Sequence, residues 1–233
     1  MNNLFLVHGE NYSQSRTRLT SLIEEFKSKN TQEVVKLDGK GVGLEKVKQA
    51  LESQSLFGNE RLVVIENLLT GLASKRQKEI IVYLLGETHR CPLILWEKKE
   101  VKKSLLDKFK VKFQIAIFKI PATVFKFLDS LSPNNSRQTI GWLRQTDQKN
   151  PEFTFHMLCQ RVRQLILTKD LGKDGLGKLQ GWQKARLLSQ ANRFALDQLV
   201  CLYRQLLEID YQRKVGQISF SLLSALDLLL ADL

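Results

Sequence analysis

A chain of 233 residues, 43% apolar and 26% charged, can bury one large core or two modest ones, and its composition excludes disordered and solenoid proteins. No apolar run reaches the roughly 20 residues of a membrane span, and Met1-Asn2-Asn3 leads straight into Leu4-Phe5-Leu6-Val7 without a secretory signal, so a cytoplasmic protein with no membrane partner is expected. The net charge of +12 favours polyanionic neighbours, but residues 1–120 hold 21 basic and 14 acidic groups and residues 121–233 hold 15 and 10, so it is no detachable tail.

In chain order, the first half alternates strand and helix. Leu4–His8, Glu33–Asp38, Arg61–Glu66, Pro92–Glu97 and Gln114–Ile120 are short runs rich in Val, Ile, Leu and Phe, as expected of strands covered on both faces. Helical spacing separates them, first in Leu19, Leu22, Ile23 and Phe26, then in Leu44, Val47 and Leu51, then in Ile80, Ile81, Leu84 and Leu85. Such alternation predicts a mainly parallel sheet with crossover helices.

After Pro121 only helical spacing remains, over Ala122–Leu131, Ser136–Thr146, Glu152–Lys169, Gln180–Gln190, Ala195–Lys214 and Ser219–Asp232. Pro133, Pro151 and the turn-rich run Leu171 to Gly177 fall at their boundaries. The expected fold class is α/β plus all-α. Residues 1–120 form an α/β domain and residues 121–233 a helical bundle, with no flexible linker between them.

The first strand runs into Val7-His8-Gly9-Glu10-Asn11-Tyr12, where a nucleotide-binding α/β domain carries its phosphate loop. Gly9 stands alone there, the Lys-Ser/Thr pair is missing, and Glu10 would repel a phosphate. Glu66 closes the third strand as a single carboxylate and reads as a solvated or capping group. No nucleophile-base pair or paired-carboxylate spacing stands out. The three cysteines Cys91, Cys159 and Cys201 and the histidines His8, His89 and His156 are dispersed, so no disulfide or metal site is expected, and the cysteines read as buried small apolar residues. The domain therefore has the architecture of a nucleotide switch, without catalytic residues and without a cofactor.

Two features remain as candidate interaction sites. Leu56 and Phe57, in Gln54-Ser55-Leu56-Phe57-Gly58, are large apolar residues at a helix-to-strand junction where polar residues are the rule, and suit an anchor for a partner's pocket. Lys98, Lys99, Lys102 and Lys103, with Lys108, Lys110 and Lys112 beyond them, are expected to clothe the outer face of a helix built around Val101, Leu105 and Phe109. They read as a solvated face or as a sequence-independent phosphate-contacting stripe without interleaved aromatic residues.

With these residues in hand, the chain resembles the delta subunit of the bacterial DNA polymerase III clamp loader over most of its length. The resemblance is carried by Leu6-Val7-His8-Gly9-Glu10 as a decayed phosphate loop, by Ser55-Leu56-Phe57-Gly58, and by the Arg61 to Glu66 strand. In the helical half, Val162-Arg163-Gln164-Leu165, Glu208-Ile209-Asp210, Lys214 and Gly216 resemble the family's collar domain, although Asp210 and Lys214 are also explained by a plain ion pair four residues apart. The resemblance implies a RecA/AAA+-like amino-terminal domain without a functional phosphate loop. It further implies that Leu56 and Phe57 enter a pocket of the sliding clamp, that the helical half joins other clamp-loader subunits, that primed DNA is met within the complex, and that the chain has no ATPase of its own. One departure is that Ile120-Pro121-Ala122 runs directly from strand to collar-like helix, so the family's lid domain is missing in this short form. The competing expectations are a general DNA-binding protein and a nucleotide hydrolase with an unorthodox phosphate loop.

Overall fold

The structure is a computed structural model that describes residues 3–28, 31–53, 60–71, 74–87, 89, 91–146, 150–172, 174–177, 179–217 and 219–233. The chain divides into two compact units, Met1–Ile120 and Pro121–Leu233.

Among its described residues the first unit contains five strands, β1 (Leu4–His8), β2 (Thr31–Asp38), β3 (Glu60–Glu66), β4 (Leu93–Glu97) and β5 (Gln114–Ile117). Four helices lie between them, α1 (Tyr12–Lys27), α2 (Leu44–Glu52), α3 (Lys75–Gly86) and α4 (Lys103–Phe109). The strands form one sheet in the order β2-β3-β4-β1-β5, and every pairing is parallel. This is an open, parallel α/β sheet, as the alternation of strand and helix in the sequence predicts. Alternate residues of the same strands serve two cores, as a period of two requires. Leu6, Val63, Ile65, Leu93 and Leu95 pack beneath Val47, Leu51, Ile80, Leu84 and Phe109 of α2, α3 and α4. Val7, Leu62, Val64, Ile94 and Trp96 pack against Leu19, Leu22 and Phe26 of α1. All five residues of β4 are buried, which is why the central strands read as unbroken apolar runs.

Local signals set the helix starts. Asn11 caps α1 by accepting from the Gln14 amide at 3.2 Å, and Ser74 caps α3 by accepting from the Gln77 amide at 3.1 Å.

Among its described residues the second unit holds helices and no strand. It comprises α5 (Ala122–Ser130), α6 (Ser136–Leu143), α7 (Pro151–Leu171), α8 (Gly181–Ala191), α9 (Leu196–Lys214) and α10 (Leu222–Ala231). Pro151 occupies the first turn of α7, where a missing amide donor costs nothing. The long α7 packs against α5, α8, α9 and α10 and buries Phe155, Leu158, Val162 and Leu165. The helix α10 buries Leu222, Leu226, Leu229 and Leu230, whereas the longer α9 buries only Leu199, Leu202 and Leu206. Leu196, Tyr203, Leu207 and Tyr211 of α9 stay exposed, so that helix carries a second apolar face. Cys201 is exposed, against the expectation that the cysteines are buried, because it falls beside the Leu199, Leu202 and Leu206 stripe and not on it.

Among the described residues no helix is long and apolar enough to cross a membrane, and no group of three or more His, Cys, Asp or Glu side chains is placed to hold a metal ion.

Candidate functional site

In an open parallel sheet, ligands bind beyond the carboxyl ends of the strands where the strand order reverses. Here that point lies at β1, between β4 and β5. The residues delivered to it are His8 to Tyr12 after β1, Glu66 after β3, Trp96 and Glu97 at the end of β4, and Phe118 after β5.

The β1 to α1 connection is closed by its own hydrogen bonds. The Phe118 amide donates to the His8 carbonyl at 2.8 Å, and the Asn11 amide donates back to the Phe118 carbonyl at 3.0 Å. The Tyr12 amide donates to the Glu10 carbonyl and the Gln14 amide to the Asn11 side chain. A phosphate loop works by aiming several free amides at one anion. Those of Asn11, Tyr12 and Gln14 already have acceptors in the chain. Gly9, at φ +135°, is required for a different reason. A Cβ there would stand 2.1 Å from the Phe118 carbonyl oxygen, so the glycine allows β1 to close on the segment after β5.

Beside this loop, side chains of the protein fill the crevice. Arg16, one turn into α1, makes a bidentate pair with Glu66, Nη1 to Oε1 at 2.7 Å and Nη2 to Oε2 at 2.6 Å. Its guanidinium lies 3.7 Å from the centroid of the Trp96 ring and 5.5 Å from that of Tyr12, and the two rings meet edge to face at 5.6 Å. The hydrogen bonds that Arg16 donates to Glu66 raise its pKa against the opposing effect of burial. Glu66 is therefore an ion-paired carboxylate and not the solvated or capping group expected from sequence. Its partner lies 50 residues earlier in the chain, beyond the reach of any local pattern. The sequence pattern does not single out Tyr12, Arg16 and Trp96; an arginine one helical turn after a tyrosine at a helix start is their only local signal.

On the other face of β4, Glu97 is fully buried and accepts from the Leu69 amide at 2.6 Å, the Thr70 amide at 3.0 Å and the Thr70 hydroxyl at 2.6 Å. Burial raises its pKa, and the three donors, which favour the ionised form, oppose the shift. The carboxylate thus fastens the segment after β3 to the end of β4. His8 is also fully buried, and its Nδ1 accepts from the Val101 amide at 3.3 Å. Burial is the main cause that lowers its pKa, which fits the neutral tautomer this bond requires.

The His8 contact pins Val101, so Lys98, Lys99 and Lys102 lie in the connection from β4 to α4 and Lys103 opens α4. All four are exposed. This corrects the expectation of one basic helix face, because β4 ends at Glu97 and only Lys103 and Lys108 lie within α4. Lys110 pairs with Asp107 at 2.9 Å, and Lys112 donates to the Glu87 carbonyl at 3.2 Å. Nor is the cluster free of aromatic neighbours, since the Lys98 ammonium lies 5.3 Å from the centroid of the Tyr12 ring, which is 44% exposed.

Leu56 and Phe57 lie outside the described residues. The residues that flank them are fixed. Ser53 caps the end of α2, and Arg61 near the start of β3 donates to the Ser53 hydroxyl while pairing with Glu33 at 2.8 Å. In the helical unit, Lys214 and Asp210 form an exposed pair at 2.6 Å, the plain helix-face interaction.

No family model matches the chain, and no curated protein matches it. Among solved structures it aligns with the DNA clamp loader delta protein of Bacillus subtilis at 14% identity and TM-score 0.47, over 98% of this chain and 94% of that one. A DNA polymerase III gamma subunit-related protein of Thermotoga maritima aligns at 14% identity and TM-score 0.36, over 97% and 92% of the two chains. A chain of the Drosophila ORC complex with DNA and Cdc6 aligns at 10% identity and TM-score 0.32, over 98% and 65%.

Proposed function

We propose that this chain is a non-catalytic, delta-type clamp-loader subunit that grips the sliding clamp, helps open it for loading on primed DNA, and joins other loader subunits through its helical unit. The observation that carries this reading is the crevice at the strand switch point. It lies where a nucleotide-binding α/β domain would hold its phosphates, yet Arg16, Glu66 and Trp96 meet there and the amides of Asn11, Tyr12 and Gln14 are hydrogen-bonded within the chain. Such a domain serves as a rigid body that presents a contact and not as a centre of turnover.

The contact is Leu56 and Phe57, the apolar pair that the family resemblance marks. The connection that carries them enters β3 at its amino end, the sheet edge opposite the crevice, and both flanks are tied by Arg61. Assembly falls to the helical unit, where Leu196, Tyr203, Leu207 and Tyr211 leave one face of α9 apolar and uncovered. The short connection between β5, ending at Ile117, and α5, starting at Ala122, supports reading the chain as a short form of the subunit without a lid domain at that point.

The test is binding of purified sliding clamp by the wild-type chain and by the Leu56→Ala, Phe57→Ala double variant, with thermal midpoints measured in parallel. The expected result is a fall in affinity of about 100-fold or more at an unchanged midpoint, since two hot-spot side chains are removed. Equal binding by the two proteins would refute the anchor, and a large fall in midpoint would make the pair part of the core.

The exposed Lys98, Lys99, Lys102 and Lys103 beside Tyr12 favour a second role, contact with DNA phosphates within the assembled loader. Replacing Lys98 and Lys99 by Ala should flatten the salt dependence of DNA binding by the complex, by about one unit of slope for each phosphate no longer neutralised.

A further inference from the structure

A second candidate surface, independent of the clamp reading, lies on the helical unit where α5, α7 and α8 enclose an open groove of about 200 Å³. An engineered apolar cavity of about 150 Å³ holds benzene, so this volume accepts one large side chain. Phe125 and Trp182 stand on its rim, 39% and 62% exposed, and Met157 and Leu187 line its wall. Among the described residues its charged lining consists of Arg161 and Arg186, with no Asp, Glu or Lys. Aromatic residues, Met and Arg with no acidic or lysine residues form the composition that separates interface cores from ordinary surface.

The two guanidiniums are held in place from behind. Arg161 Nη1 donates to Asp129 Oδ1 and to Gln190 Oε1, each at 2.9 Å, and Arg186 Nη2 meets Asp129 Oδ2 at 2.5 Å. Gln190 is itself fixed, donating to the carbonyls of Leu128 at 2.8 Å and Leu131 at 3.1 Å. One carboxylate between two guanidiniums leaves the wall with a net positive charge. Arg186 is more than half exposed, so its remaining donors are open to a further carboxylate.

We propose that this groove docks an acidic peptide segment of a partner protein, with one large apolar side chain seated between Phe125 and Trp182 and an adjacent carboxylate on Arg186. Charge complementarity selects this occupant. A neutral apolar segment would leave the arginines unanswered, and a basic one would be repelled by both. Tethering of Arg161 and Arg186 by Asp129 lowers the ordering cost of binding, as preorganisation does in general.

The test uses a fluorescein-labelled Gly-Asp-Asp-Leu-Phe-Glu-Asp-Gly peptide, its isosteric Asn and Gln counterpart, and a third version with Leu-Phe replaced by Ala-Ala, titrated with the full chain. Anisotropy should show saturable binding on the order of 10–100 μM for the first peptide, weakened about tenfold or more in each of the others. Trp182→Ala and Arg186→Gln should each weaken the acidic peptide by a similar factor. Both side chains are more than half exposed, so the fold should survive, and circular dichroism of each variant checks this. The Trp182 indole N–H, which donates to the Gln180 side chain at 2.8 Å, supplies a separate readout, a shifted indole NMR signal on titration. Equal affinity for the acidic and isosteric peptides, unchanged affinity in both variants, or no binding up to about 1 mM would overturn the proposal.

Discussion

Replacing Gly9 by Ala separates two reasons for the glycine. In a phosphate loop it lets the backbone approach an anion, and its substitution weakens ligand binding. In this structure it lets β1 approach the segment after β5. The added Cβ would stand 2.1 Å from the Phe118 carbonyl oxygen, 2.6 Å from its carbon and 2.7 Å from its nitrogen, all backbone atoms that cannot rotate aside. Relief requires the two segments to separate, which breaks the 2.8 Å bond from Phe118 to His8 and the 3.0 Å bond from Asn11 to Phe118. Two hydrogen bonds at about 1 kcal/mol each, with about 1–3 kcal/mol for a non-glycine residue at φ +135°, give a destabilisation of about 3–5 kcal/mol. That is a large share of the roughly 5–15 kcal/mol by which a domain is stable. Urea unfolding followed by circular dichroism measures it. A destabilisation below about 1 kcal/mol would refute this packing explanation.

Arg16→Ala should cost about 1–2 kcal/mol in the same assay, discounted because the pair is partly exposed, and should change the Trp96 emission that the guanidinium covers. His8 adds a pH dependence with a defined sign. Its pKa is lowered below 6.5 in the fold, so the unfolded chain binds the proton first and stability falls as pH drops below about 6.5. His8→Asn keeps an acceptor for Val101 without titrating, so the wild-type and variant curves should converge above pH 7 and part below it. Parallel curves would rule out His8 as the source of the pH dependence. Lys214→Ala should change stability by less than about 0.5 kcal/mol, because its pair with Asp210 is exposed.

The elements of the α/β unit were legible because β3 and β4 are buried on both faces and must be apolar throughout, while α1, α2 and α3 show one apolar side each. Helix ends differed by a few residues where the pattern outran the turn, as at α10, which starts at Leu222 after the Ser221 cap and not at Ser219. That Gly9 stands alone after the first strand, with Glu10 beside it and no Lys-Ser/Thr pair, was legible in the sequence. What closes the crevice was not, because Arg16, Glu66 and Trp96 come from α1, β3 and β4 and meet only when the sheet forms. The basic cluster was misplaced for a related reason. Lysines at 98, 99, 102 and 103 have helical spacing, but the bond from Val101 to His8, 93 residues away, holds residues 98–102 in the connection before α4, and only Lys103 enters the helix. Exposure of Cys201 and of one face of α9 was hidden as well, since a leucine-rich helix shows its apolar positions in sequence without showing which of them a neighbour covers.

The most direct measurement of the central claim, that Arg16, Glu66 and Trp96 occupy the switch-point crevice and leave no nucleotide site there, is calorimetric titration of the wild-type chain with ATP and magnesium. The predicted result is no saturable heat up to about 1 mM nucleotide, in Arg16→Ala as well, because the loop amides keep their acceptors in that variant. Stoichiometric binding at micromolar concentration by the wild type would contradict it.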